Sequence, residues 1–381
     1  MRSKILATTL SLFMLGCVQA QTSPPFVVEP VATFDEPWAL AFLPDGRMLV
    51  TEKKGNLFIV TRDGQKSRAV SGVPDVAYGG QGGLGDVALH PKFTDNHLIY
   101  ISYVETGVGG TRGAAVARGV LTEADGRGSL SDVEVIWRQY PKVVGYGHYG
   151  HRLLFDDAGY LYISSSDRQK FTPAQDMQAN LGKIVRLRDD GSVPDDNPFV
   201  DYFSKDPLVD DEGVYGQIWS LGHRNTLGLA FDLKGQLWNI EMGPRGGDEL
   251  NRIQRGANYG YPLVSNGDHY DGRDIPDHDT RPEFVAPALW WTPVISPGDL
   301  MIYRGDLFPG WRGNAFAAGL SSQAIVQIEL GDDTAREIAR YPMGARIRSI
   351  VEGPDGALWV LEDTRDGSGG RLLRLTPKNK G

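Results

Sequence analysis

The chain has 381 residues, a formal net charge of -9, 41% hydrophobic residues and a single cysteine. An acidic balance without a Lys/Arg-rich run excludes a nucleic-acid backbone as partner, and one cysteine excludes an intrachain disulfide. The 48 glycines and 23 prolines stay below the level of a disordered chain and point to many turns around a large core.

At the N-terminus, Arg2 and Lys4 precede an apolar stretch over 5–18, and Val18, Gln19 and Ala20 follow as a cleavage site. The stretch is too short to span a bilayer, so residues 1–20 are predicted to be an export leader. The body is then expected in the periplasm or secreted medium. Met14, Leu15, Gly16 and Cys17 also resemble a lipoprotein site, which would anchor the chain through Cys17; release after Ala20 is the alternative. No later apolar stretch reaches about 18 residues, so no transmembrane segment is expected in the mature chain. Residues 21–37 are expected to lead into a single catalytic unit over 38–376.

Along that unit one pattern recurs: an apolar strand, a turn with Gly beside Asp or Lys, and a second apolar strand ending in an acid. It occupies 40–52, 153–167, 229–241 and 350–362, closing on Glu52, Asp167, Glu241 and Glu362. Degenerate copies at 87–102 and 300–320 bring the count to six. Hairpins repeated at this spacing, without helical periodicity, predict an all-β, six-bladed propeller of four-stranded antiparallel blades. Loops between blades gather at one end of such a ring. The long intervals 104–150, 186–220 and 255–297 are therefore predicted to carry function.

Five segments stand out in chain order. Gly79, Gly80, Gln81, Gly82, Gly83 and Leu84 lack the lysine and strand-to-helix context of a phosphate loop. His148 and His151 lie in a Gly-rich loop just before a repeat strand. An imidazole there can act as a general base at neutral pH, or be an ordinary hydrogen-bonded loop histidine. Gly222, His223, Arg224 and Asn225 offer a guanidinium for a carboxylate or oxyanion, or simply close a turn. The run from Glu241 to Asn251 supplies oxygen ligands suited to a hard cation. Arg346 and Arg348 alternate along one strand face. An anionic ligand, bound water or an acidic neighbour would each relieve their repulsion.

Taken together and in this order, these segments resemble the soluble quinoprotein glucose and aldose sugar dehydrogenases, the glucose/sorbosone dehydrogenase family, from about Trp38 to Leu375. The resemblance implies a PQQ- and Ca2+-dependent oxidoreductase that oxidises the anomeric hydroxyl of a sugar to a lactone and hands electrons to an external acceptor. It implies His148 as the general base and Arg224 as the stabiliser of charge on the quinone. Gln81, Asn225, Gly319, Leu320, Ser321, Arg346, Ile347 and Arg348 would complete the cofactor site. Carbonyls of Gly243 and Pro244 would hold the cofactor's calcium, with Glu241, Asn251 and Tyr259 as a further calcium set. Trp290 and Trp291 would border the sugar cleft or belong to blade core. Two departures are visible. Ser321 stands where the family presents a lysine, and Gly147 stands where the glucose dehydrogenase branch has an acid that would orient the imidazole. A calcium-dependent lactonase propeller and a non-catalytic binding propeller with a decayed site are the alternatives.

Overall fold

The computed structural model describes residues 24–124, 126–202, 214–364 and 367–378; the expected leader and Cys17 lie outside them. Strand β1 (Phe26–Phe34) precedes the first blade, which is built from β2 (Pro37–Phe42), β3 (Met48–Glu52) and β4 (Asn56–Val60). The second contains β5 (Leu84–Leu89), β6 (Leu98–Thr106), β7 (Arg112–Ala124) and β8 (Arg127–Arg138). The third contains β9 (Gly150–Phe155), β10 (Leu161–Ser165), β11 (Lys183–Leu187) and β12 (Ile218–Leu221). The fourth is β13 (Thr226–Phe231), β14 (Leu237–Glu241), β15 (Asp248–Arg252) and β16 (Leu289–Trp291). The fifth is β17 (Pro297–Ile302), β18 (Ala315–Gly319), β19 (Ala324–Leu330) and β20 (Ala335–Pro342). The sixth follows with β21 (Ile347–Glu352), β22 (Leu358–Glu362) and β23 (Gly370–Pro377).

The six sheets are antiparallel and form the six-bladed propeller that the repeats predict. Each repeat copy is the inner hairpin of one blade. β1, from the segment expected as a lead-in, pairs with β23 and becomes the outer strand of the sixth blade, so the two ends of the described chain close the ring together. In the first blade the outer position is held by an irregular run, with Ser67 and Val70 donating their N–H groups to the Ile59 and Leu57 carbonyls. The interval 104–150 is largely the long outer hairpin β7 and β8 rather than loop, because each blade needs two further strands after its repeat. Core residues pack between neighbouring blades. Trp38, Leu49 and Leu57 of the first meet Ile99, Ile101 and Ala115 of the second, and each fully buried side chain of this size contributes about 1.5–3 kcal/mol.

The innermost strands β2, β5, β9, β13, β17 and β21 contact one another in a closed ring around the axis. All six carry the same irregularity: near its beginning, each inner strand has one residue more than its partner strand. A bulge of this kind bends the strand and re-aims the side chains around it. Trp38, Asp86, Arg152, Leu227, Gly298 and Arg348 lie within these six irregularities. Arg152 meets a residue from each of the other five blades. Its guanidinium stacks 4.0 Å from the Trp38 ring centroid. It donates to the Leu227 and Gly298 carbonyls at 2.8 and 2.5 Å and to the Arg348 carbonyl at 3.4 Å. The carboxylates of Asp86 and Asp299 lie 3.5 and 3.6 Å away. The axis is thereby closed by one side chain.

Candidate active site

Above Arg152, at the end where the inner strands begin, a cavity of about 380 Å³ opens between the loops that precede those strands. All six blades line it, and Gln81, Asn225, Leu320, Ser321, Arg346 and Arg348 are among the lining residues. Sequence positions more than 250 residues apart converge here because the bulged starts of six strands share one axis.

His148 is held beside this cavity by an unusual loop. Its backbone has a φ of +50°, a region that histidine enters more readily than most residues. The Gln81 carboxamide oxygen accepts its backbone N–H at 2.7 Å. Gln81 can reach because Gly80 lies against Tyr146, where an added Cβ would come within 2.6 Å of the Tyr146 carbonyl oxygen. From below, buried Arg168 donates to the carbonyls of Gly145 and Gly147 at 2.8 and 2.9 Å and stacks over Tyr149. The imidazole Nδ1 lies 2.7 Å from Asp167 Oδ1. Burial holds the His148 imidazole below its ordinary pKa, against the opposing pull of Asp167. The orienting acid absent at Gly147 is thus supplied by Asp167, the terminal acid of the repeat hairpin.

Arg224 and Asn225 open the fourth blade. Arg224 Nη1 donates to the Met242 and Gly243 carbonyls at 2.8 and 2.5 Å, and its guanidinium lies 5.7 and 5.8 Å from the ring centroids of Tyr270 and Tyr261. Gly243 is required by close packing, since a Cβ would meet the Gly247 carbonyl oxygen at 2.1 Å. Asp248 fastens this turn to the fifth blade by accepting the N–H groups of Gly243 and Ser296.

Arg346 and Arg348 do point to the same side, and they share one acid. Asp363 Oδ2 accepts from Arg346 Nε at 2.9 Å and from Arg348 Nη2 at 3.1 Å. Burial works to raise the Asp363 pKa, yet the two guanidinium groups hold it below its usual range. Two cations on one carboxylate leave surplus positive charge facing the cavity. Ser321 lines the same space, and its hydroxyl donates weakly to the Val294 carbonyl.

Several predicted residues lie elsewhere. Ile347 is fully buried among the blade-five and blade-six core, and Gly319 ends β18 without lining the cavity. Trp291 is core between the fourth and fifth blades, whereas Trp290, on the opposite face of β16, is 52% exposed. Glu241 is saturated: its carboxylate accepts from Arg224 N, Thr226 Oγ1 and Asn239 Nδ2 and lies 2.9 Å from His223 Nδ1. Tyr259 donates its hydroxyl proton to the Arg252 carbonyl, accepts from Gln254 N and stacks on His223. Pro244 sits in the turn after Gly243. The sequence reading missed Asp167, Arg168 and Asp363. The terminal acid shared by the repeats was the available signal for Asp167 and, one residue on, for Asp363.

Comparison with known proteins shows the family. Residues 34–374 match the family model for glucose/sorbosone dehydrogenase. An aldose sugar dehydrogenase of Escherichia coli (strain K12) is 40% identical over 353 residues, covering 91% of each chain. The crystal structure of the soluble aldose sugar dehydrogenase from Escherichia coli in its apo form superposes with a TM-score of 0.83 at 38% identity, over 93% of this chain and all of that one. The PQQ-bound form of an aldose sugar dehydrogenase from Streptomyces coelicolor has a TM-score of 0.72 at 27% identity, over 94% and 100% of the two chains. No helix among the described residues is long and apolar enough to cross a membrane. In sequence and in fold, the chain belongs to the glucose/sorbosone dehydrogenase family.

Proposed function

We propose that this protein is an exported, PQQ-dependent dehydrogenase that oxidises the anomeric hydroxyl of aldose sugars to lactones and passes electrons to an external acceptor. The observation that carries this reading is a group of buried polar atoms around one mouth with no partner among the described residues. They are Arg348 Nε, Asn225 Oδ1 and Thr364 Oγ1, with Arg224 Nε nearby. Each such atom costs about 1–3 kcal/mol when left unsatisfied. A planar, tri-carboxylated quinone offers acceptors to the guanidinium groups and a pyrrole N–H to an amide oxygen, so the residues present fit it. The PQQ-bound relative supports the same reading.

When bound, the quinone supplies a two-electron acceptor for the hydride of the anomeric carbon. The protein's part is to hold charge and move a proton. With Asp167 accepting the Nδ1 proton, the lone pair of His148 is on Nε2, and burial keeps the ring neutral near pH 7. That nitrogen takes the proton of the anomeric hydroxyl. Arg224 supplies a fixed cation at the same end of the cavity.

Calcium fits less well. The Gly243 carbonyl already accepts Arg224, and the oxygens of Glu241 and Tyr259 are committed to other partners. Of the side-chain oxygens in this set, Asn251 Oδ1, beside the equally unpaired Asn239 Oδ1, is the one that remains open among the described residues. No step is derived through the ion. The test is to titrate the purified protein with PQQ, with and without calcium, and to follow dye reduction across a panel of aldoses. Saturable binding and turnover are expected; absence of both overturns the proposal. Full activity in the presence of a calcium chelator would remove calcium from it.

A further inference from the structure

The resemblance implies a lysine where this chain has Ser321, and the cavity does not lack an ammonium group. Lys53 follows directly on Glu52, the terminal acid of the first repeat, and its side chain lines the same 380 Å³ cavity from the first blade. Ser321 approaches it from the fifth blade, with Arg346 and Arg348 between them in the ring. Lys53 is largely buried, with its side chain 13% exposed. Its Nζ lies 3.1 Å from Glu36 Oε1 and donates to the Gly80 carbonyl at 3.0 Å, with the Tyr78 ring beneath it. An ammonium has three donors, and these contacts use two. Glu36 is also shared, because the Tyr78 hydroxyl donates to its other oxygen. The neighbourhood favours a ligand's carboxylate: Lys53, Arg346 and Arg348 face only Glu36 and Asp363 among the cavity's charged residues.

Resting on the PQQ reading above, we infer that Lys53 is a cofactor-binding residue of this chain, donating its third proton to a carboxylate of the quinone in place of the lysine absent at 321. Gly80 and Glu36 hold the Lys53 ammonium in position, and the Glu36 charge is kept from quenching it fully by the hydroxyl of Tyr78.

The test is equilibrium binding of PQQ followed by quenching of tryptophan fluorescence, for which Trp38 in the cavity wall is a reporter. Wild type, Lys53→Met, Glu36→Gln, and Lys53→Met combined with Ser321→Lys are compared, with melting temperatures measured in parallel. Loss of one charge-assisted contact should raise the Kd of Lys53→Met by about tenfold to a hundredfold. Glu36→Gln keeps the ammonium and frees it, so it should bind as tightly as wild type or more tightly. Ser321→Lys should restore much of the affinity lost in Lys53→Met. Wild-type affinity in Lys53→Met overturns the inference. So does equal weakening in Glu36→Gln and Lys53→Met, which would make the pair merely structural and would decide the matter even if Lys53→Met folded poorly. Failure of the wild type itself to bind PQQ would instead overturn the cofactor reading, and this assignment with it.

Discussion

The two ends of the propeller axis differ in a way that volume alone would misjudge. Beyond Arg152, where the inner strands finish, a wider cavity of about 890 Å³ is lined by Asp86, Asp299, Ser349 and Arg304. These polar groups are already paired: Asp299 accepts from Ser349 and Ile350, Asp86 from Val87 and Leu153, and Arg304 donates to the Phe231 carbonyl. The narrower cavity at the other end holds Arg348 Nε, Asn225 Oδ1 and Thr364 Oγ1, which are unpaired among the described residues. Unmet hydrogen-bonding capacity, and not empty space, marks the end that is built to receive a ligand.

The largest expected break in this contrast is His148→Ala, which should lower kcat for sugar oxidation by about 10²- to 10⁴-fold while leaving PQQ affinity within a few-fold of wild type. Loss of binding would make His148 a scaffold residue. Arg152→Met attacks the partition between the two ends. It strands the buried carboxylates of Asp86 and Asp299, burial having already pushed Asp86 up to about 6, and should cost about 3–5 kcal/mol in a denaturant titration.

The pH profile separates chemistry from scaffold. The proposed base must be neutral to act, and burial lowers the pKa of His148, so the acid limb of kcat/KM should fall below pH 6.5, and lower still in Asp167→Asn, which removes the opposing pull. A limb above 6.5 would contradict the assignment. A smaller effect concerns His151, which burial foremost, with Arg152 adding, pushes down to about 3. Between pH 6.5 and 3 the unfolded chain binds this proton and the folded one does not, so stability falls as pH falls through that window. His151→Gln should flatten the decline measured by thermal unfolding.

Much of the fold was legible because each inner hairpin repeats its turn and its terminal acid, and six copies leave few other ways to bury the strands. The sixfold bulge was not legible. It depends on register between partner strands, which residue order does not display, yet it is what turns Trp38, Asp86, Arg152 and Arg348 toward the axis. His148, Asn225, Arg346 and Arg348 were singled out through their company in the chain, and the fold brings them to one end of the axis. Asp167 and Asp363 were missed although they end or follow a repeat, because an acid closing a hairpin looks like surface until the ring brings it against a histidine or two arginines. Lys53 was missed for the same reason. The expected calcium set is where residue order says least: Glu241 and Tyr259 have the right chemistry, and only the folded chain shows the nearby donors and acceptors that also engage them.

The most direct test of the central claim is the PQQ dissociation constant of wild type, Arg348→Met and Arg304→Met, one substitution at each end of the axis. Saturable binding by wild type, weakened about tenfold to a hundredfold by Arg348→Met and unchanged by Arg304→Met, is the predicted result. Equal affinity in wild type and Arg348→Met, or a loss confined to Arg304→Met, would contradict it.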